Sequence, residues 1–240
     1  MKISQFQKQL SIAQQLCLIH IPKTAGSTLI DNAKKVLESE NLLITYSARG
    51  KQKFENCTTE SLEPIRPLLV SGHKPFYEFR KKVPSQCTYL SIVRHPVDRI
   101  VSYYNYSRRT NSRNEVIRQA KNSSLGQFLS YLKYNNPRIL INQQCRFLSE
   151  NKKIKNSLNI GFDHIAPTLK HERVFVFPID MVDEIYRAIS TEMNLGITSF
   201  TKSKKSSASL DISNEIVQFI LHHNEEDLKL YQHFLEKSSS

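Results

Sequence analysis

Between an apolar run and an amphipathic segment, the chain reads Ile21-Pro22-Lys23-Thr24-Ala25-Gly26-Ser27-Thr28. A strand that passes through so short a loop into a helix start makes an anion cradle. The first-turn N–H groups have no intrahelical acceptor, and the helix dipole adds partial positive charge. Lys23 precedes the cradle, Gly26 sits where backbone must approach a ligand, and Ser27 and Thr28 add hydroxyls at the first helical turn. A plain strand–helix turn is the competing reading of this loop. It is not the nucleotide-triphosphatase signature, in which Lys directly follows the last Gly; here Ser27 does. Nor does a later strand end in the Asp that would hold magnesium, because one runs into Gly72-His73 and another into Arg94. A kinase or ATPase is therefore disfavoured. Arg94 follows a strand directly, on the side of an open α/β sheet where ligands bind. Ser102, on the segment behind it, can return a hydroxyl to the same pocket. A forked guanidinium with a hydroxyl is a suitable grip for phosphate. Arg99 beside Asp98 reads as a structural ion pair or an exposed residue.

The elements that must position these groups follow from the apolar pattern. Short apolar runs at 16–21, 41–45, 67–73, 88–93 and 173–179 read as strands. Ser27 or Thr28 is the expected cap of a helix whose Leu29, Ile30, Ala33, Val36 and Leu37 share one face. Pro96 suits a first helical position, with Val97, Ile100, Val101 and Tyr104 at helical spacing behind it. Residues 51–67 read as irregular or a short helix, and 108–123 as an exposed basic loop. Helices are expected near 124–134 and 138–149, again from Asp180 to Gly196, and as one long element over 212–235. Strands alternating with helices predict an α/β fold: a mostly parallel central sheet flanked by helices in three layers, with residues 1–240 as one domain.

Composition narrows the function classes. The chain has 240 residues, 39% of them hydrophobic, which is enough to build a core without metal or disulfide staples. No stretch approaches the ~18–20 apolar residues of a membrane span. The amino terminus, broken by Gln, has no signal-peptide core, so a cytoplasmic protein is expected, with a trimmed luminal domain of the Golgi as the alternative. Cys17, Cys57, Cys87 and Cys145 form no CxxC pair and read as reduced, mostly buried thiols, a Cys57–Cys87 bridge staying open. The formal charge of +12 points to an anionic partner (nucleic acid, nucleotide, acidic glycan or membrane surface), the competing reading being that it only keeps the protein soluble.

Taken together, IPKTAGST after a first strand and VRHPVDRIVSYY about 70 residues later resemble the sulfotransferases that use 3′-phosphoadenosine 5′-phosphosulfate (PAPS). With the intervening VSGH, the pattern is most similar to the heparan/uronyl 2-O-sulfotransferase branch and its bacterial relatives. NQQCRFLS (142–149), VFPIDMVDEI (176–185) and NEEDLKLYQHF (224–234) are weaker echoes. The P-loop-like three-layer fold goes with that resemblance, and so do the residue roles. Lys23 would meet the bridging oxygen of the leaving group. Thr24, Ala25, Gly26, Ser27 and Thr28 would hold the 5′-phosphate, and Arg94 and Ser102 the 3′-phosphate. A late basic loop would close over the nucleotide, where Lys202 and Lys204 stand, although a solvated linker is the equal reading.

Sulfuryl transfer needs a base for the acceptor hydroxyl and positive charge beside the leaving oxygen. Lys23 suits the second task. His73, after a strand expected beside the first one, is the candidate base, because an ordinary imidazole titrates near ~6.5. His20 reads as a core residue, and Glu78 is kept only as a remote alternative, a second carboxylate near the base. From Arg94 to Lys121 seven Lys/Arg face two Asp/Glu, so Arg108 and Arg109, with Arg80 and Lys81, are expected to rim the open end of the sheet. They would attract an anionic hydroxyl acceptor, a glycan. No metal, nucleic acid or membrane span enters this reading. An inactive nucleotide- or glycan-binding relative is its main rival, ahead of a P-loop kinase.

Overall fold

The computed structural model describes residues 3–150, 152–153, 157–197 and 212–238. Lys202 and Lys204 lie outside them. The Gln-rich start forms α1 (Ile3–Ala13), because Phe6, Leu10 and Ala13 fall on one face and bury it. The apolar run behind it becomes β1 (Gln15–Ile19), then the Lys23 loop and α2 (Gly26–Ala33). β2 (Leu42–Ile44), β3 (Leu68–Gly72), β4 (Thr88–Val93) and β5 (Val174–Pro178) follow. All pair in parallel, in the order β2-β3-β1-β4-β5. β1, β3, β4 and β5 are buried at every residue, as strands covered on both faces must be.

The two faces carry separate cores. Against one, α1, α2 and α12 (Val182–Glu192) bring Phe6, Leu10, Leu29, Ile30, Ile185 and Ile189 onto Leu16, Leu18, Leu90 and Phe175. Against the other lie Phe54 of α3 (Ala48–Asn56), Phe76 and Phe79 of α5 (Phe76–Arg80), Cys145 of α10 (Gln143–Phe147) and Leu169 of α11 (Ala166–Lys170). Leu230 and Phe234 of α14 (Glu225–Ser238) complete that side. A third cluster joins α6 (Pro96–Arg109) to α7 (Glu115–Asn122), α8 (Leu125–Asn135), α9 (Pro137–Leu140) and α13 (Asn214–His222) through Ile100, Tyr104, Phe128, Leu132 and Ile220.

Three expectations are corrected. The segment 108–123 is no exposed loop: α6 runs to Arg109, and α7 follows with Asn114 capping Val116 N–H at 2.9 Å. Two buried residues, Val116 and Ala120, are enough to seat α7, which is why its basic composition misleads. Residues 48–62 fold more fully than expected, because Ser47 caps α3 and Thr58 with Ser61 forms a capping box for α4 (Thr59–Leu62). The terminal helix is two helices. Asn224 is buried at the joint and its side chain donates to Ile220 C=O at 2.9 Å, taking an acceptor that a continuing helix would use. Three acids then open α14.

Candidate functional site

The loop after β1 is held from within, which leaves its outer side to a ligand. Lys23 and Ala25 both adopt positive φ, 74° and 72°, with Thr24 buried between them. The Thr24 hydroxyl donates to Ile21 C=O at 2.9 Å, so it braces the turn. Tyr186 of α12 donates to Ala25 C=O at 2.8 Å and ties the loop to the neighbouring layer. The helix is therefore capped by Ala25 in a left-handed conformation, two or three residues ahead of the expected Ser27 or Thr28 cap. Ser27 and Thr28 instead fall in the first turn, beyond the carboxyl end of β1, where Thr28 N–H donates back to Ala25 C=O at 2.9 Å. A Cβ on Gly26 would stand 2.4 Å from His20 Cδ2, so glycine is required here by a buried ring.

Arg94 reaches this loop, its Nη1 lying 3.4 Å from Lys23 C=O. Its backbone is clamped by the fully buried Gln144, whose carboxamide accepts from Arg94 N–H and donates to Arg94 C=O, both at 2.8 Å. Gln144 in turn sits on a capped turn. Asp227 accepts from Gln144 N–H and Cys145 N–H at 2.9 Å each, and Asn142 Oδ1 accepts from Asp227 N–H at 3.2 Å. Burial lowers the Arg94 pKa, while Asp98, Asp180 and Tyr231 oppose the shift; guanidinium stays charged regardless. Arg99 is neither exposed nor paired with Asp98. It is fully buried, donating to Gln143 Oε1 at 2.6 Å and to Ile139 C=O at 3.3 Å. Burial also pushes the Asp227 carboxyl up, with Arg99 and the two N–H donors pulling it back.

α6 presents one face to the loop, since Lys23 Nζ lies 4.3 Å from the centre of the Tyr106 ring. Ser102, one turn earlier, shares that helical face with Asp98 and Tyr106. The Arg94 side chain, the Lys23 loop and the Ser102 face thus meet at the carboxyl ends of β1 and β4. They suit a ligand with two separated anionic groups: helix N–H donors and Lys23 for one, Arg94 for the other.

His73 stands one position past β3, whose Gly72 is paired with Ile19 of β1. It is exposed, and its Nδ1 lies 2.9 Å from His20 C=O. A carbonyl can only accept, so Nδ1 carries the proton and Nε2 keeps its lone pair. Desolvation lowers the His73 pKa below the ordinary imidazole value, and the His20 carbonyl bond partly offsets this. Its ring lies 4.7 Å from that of His20 and 4.6 Å from that of Tyr46. Tyr46 and His20 carried no functional signal in the sequence. Tyr46 becomes a neighbour of His73 only because β2 pairs with β3, an order that no local pattern reveals.

The rim is redistributed. Arg80 pairs with Glu150 at 3.6 Å and packs over Phe76, whose ring meets His171, three residues before β5 begins. That is the amino-end side of the sheet. Arg80, with Lys81 after it over Tyr77, does not rim the open end, because α5 runs back across the sheet face from β3. Glu78 takes Lys74 at 3.0 Å and the Tyr77 hydroxyl at 3.1 Å. Arg109 lies a turn beyond Tyr106, bonding Asn105 C=O at 3.1 Å, while Arg108 covers Tyr104. All four cysteines are free thiols, three of them buried. Among the described residues, no group of three or more His, Cys, Asp or Glu could hold a metal, and no helix is long and apolar enough to cross a membrane.

Comparison with known proteins gives a family model described as "Sulfotransferase family", which matches residues 11–234. No curated protein matches. Among solved structures, the chain is similar to retinol dehydratase in complex with androsterone and the inactive cofactor PAP, at 11% identity and a TM-score of 0.35. That match covers 89% of this chain, which spans 64% of the length of the dehydratase chain.

Proposed function

Because the chain belongs to the sulfotransferase family, we propose that it moves a sulfuryl group from PAPS to an acceptor hydroxyl, with His73 as base and Lys23 at the leaving oxygen. The observation that carries this reading is the meeting of three strand ends. His73 is fixed to the backbone of His20, and Arg94 to that of Lys23, so base, cradle and second anion grip are linked through the four residues His20 to Lys23.

The residues present fit the donor. The α2 first turn, with Gly26, Ser27 and Thr28, would hold the 5′-phosphosulfate, and Arg94 with Ser102 the 3′-phosphate. Thr24 and Ala25 would act through the shape of the loop, since the Thr24 hydroxyl and the Ala25 carbonyl are already engaged inside it. When bound, the donor supplies an activated sulfuryl group and a leaving bisphosphate. His73 Nε2 takes the proton of the acceptor hydroxyl as its oxygen bonds to sulfur. Lys23 brings positive charge to the oxygen whose bond to sulfur breaks. The proton on His73 then passes to water. Lys202 and Lys204 would close over the nucleotide, and Arg108 and Arg109 at the end of α6 would draw an anionic carbohydrate acceptor.

A labelled-sulfate screen over desulfated glycans, lipids and small alcohols tests the reading. Transfer to a carbohydrate, lost in Lys23→Ala and His73→Ala, is the expected result. Tight nucleotide binding with no transfer to any acceptor class would make the chain a binding module instead.

A further inference from the structure

Three rings meet at the carboxyl ends of β1, β2 and β3, and among the described residues a backbone carbonyl, not a carboxylate, holds the imidazole of His73. His73 is flanked by His20 and Tyr46 at 4.7 and 4.6 Å, tilted by 33° and 32°. His20 and Tyr46 touch each other edge to face, at 5.5 Å between centres. The His20 Nδ1 is hydrogen-bonded to the Tyr46 hydroxyl, which lies 3.3 Å from Ser71 Oγ. Ser71 donates to Leu18 C=O at 3.2 Å. The polar atoms therefore form a closed chain from His20 to the backbone of β1. His20 is 4% exposed and its ring lies directly beneath Gly26, the first residue of α2.

We propose that His20 and Tyr46 are positioning residues for His73, fixing its ring plane and tautomer and tying the base to the phosphate cradle. The proposal rests on the reading of His73 as base. The His20 carbonyl fixes which nitrogen of His73 carries the proton, and the two flanking rings fix where the other nitrogen points. The His20 carbonyl takes the Nδ1–H that an orienting carboxylate takes in other histidine bases, and the Tyr46 ring holds the imidazole plane against it, without a charge that would raise the imidazole's proton affinity. Among the described residues, the groups packed against His73 are the two rings and the His20 carbonyl; Lys23 lowers the pKa of His20 and Asp31 raises that of Tyr46, and Lys74 beside His73 in sequence is paired with Glu78 at 3.0 Å. Because His20 also supports Gly26, a disturbance at the acceptor-side stack reaches the donor loop through one side chain.

The test is nitrogen-15 NMR of the histidine rings in the full chain, the His73 signals assigned by their loss in His73→Ala. In the wild type, His73 should appear as a single Nδ1–H tautomer that titrates below the ordinary imidazole value. Tyr46→Ala should give mixed tautomers and an upward-shifted titration, while the Kd for 3′,5′-bisphosphorylated adenosine stays within about twofold. Tyr46→Phe, which keeps the flanking ring and loses the hydroxyl, should fall between the two and controls for folding. Turnover in Tyr46→Ala should drop on the order of tenfold, short of the ~10²–10⁴-fold expected when a whole general base is lost. Unchanged His73 signals in both Tyr46 variants would overturn the proposal. Near-normal turnover in His73→Ala would remove the base reading, and the NMR result would tell that failure apart from this one.

Discussion

Gln144 is the residue whose loss should separate the two halves of the nucleotide grip. It touches no ligand in the proposed site, yet both backbone polar groups of Arg94 end on its carboxamide at 2.8 Å, and it is fully buried. Gln144→Ala removes two hydrogen bonds and strands a buried N–H and a buried C=O. At about 1–2 kcal/mol for each, the cost is about 2–4 kcal/mol. For a chain of this size, that corresponds to a fall in Tm of about 5–15 °C. The Arg94 side chain would lose its fixed origin, so affinity for 3′,5′-bisphosphorylated adenosine should fall about 10–100-fold, the equivalent of about 1.4–2.7 kcal/mol. Binding of adenosine 5′-phosphate, which lacks the 3′ group, should change little. Gln144→Glu sharpens the assay, because a carboxylate still accepts from Arg94 N–H but repels Arg94 C=O, and should give an intermediate loss. The assay is paired calorimetric titration of both nucleotides into each variant, with thermal melts alongside. If Gln144→Ala bound both nucleotides like the wild type and melted at the same temperature, the clamp would not position Arg94.

Other outcomes follow from the same geometry. Lys23→Ala and His73→Ala should both abolish sulfate transfer, whereas Arg94→Ala and Ser102→Ala should weaken binding of the desulfated nucleotide most strongly, as read by transfer assay and titration. Gly26→Ala would bring a methyl group to 2.4 Å from the His20 ring, so it should lower both Tm and nucleotide affinity even though it adds no charge. His20 should give the fold an acid-sensitive slope. Burial, then His73 and Lys23, hold its pKa well below the ordinary value, so below about pH 6.5 the unfolded chain binds more protons than the folded one. Stability is complete above that pH and declines beneath it, and His20→Asn should flatten a plot of Tm against pH between 8 and 5. Arg80→Ala should leave the KM for an anionic acceptor unchanged, while Arg109→Ala should raise it in a salt-dependent manner.

Much of the fold was legible because the strands are short apolar runs ended by Pro, Gly or Arg, and a parallel sheet needs them buried on both faces. TYLSIV coincides with β4, and Pro96 is the first residue of α6. What misled was composition used in place of pattern. The 108–123 segment carries few apolar residues, but Val116 and Ala120 are spaced to meet a neighbouring helix, and Asn114 supplies the cap. The break at Asn224 lay hidden because its cause is one side chain bonding back to Ile220.

The cradle and Arg94 were legible as local motifs, since loop and strand end are each continuous in sequence. Their support was not. NQQCRFLS and NEEDLKLYQHF stood out only as faint similarities, and their purpose appears when Gln144 grips Arg94 and Asp227 caps the turn that holds Gln144. Tyr231 bonds Asp180 at 2.9 Å, joining VFPIDM to the same backing. Arg80 and Lys81 were misplaced for a topological reason: α5 packs back across the sheet face after β3 and carries Arg80 to Glu150 and Phe76, whereas α6 leaves β4 into a separate helical cluster with Tyr106 against Lys23. Tyr46 was invisible because its partnership with His73 depends on strand order.

Titrating the purified chain with 3′,5′-bisphosphorylated adenosine in a calorimeter addresses the central claim most directly. One saturable site, weakened strongly in Arg94→Ala and in Ser102→Ala, is the predicted result. A folded sample that gives no heat of binding at low salt would contradict the account.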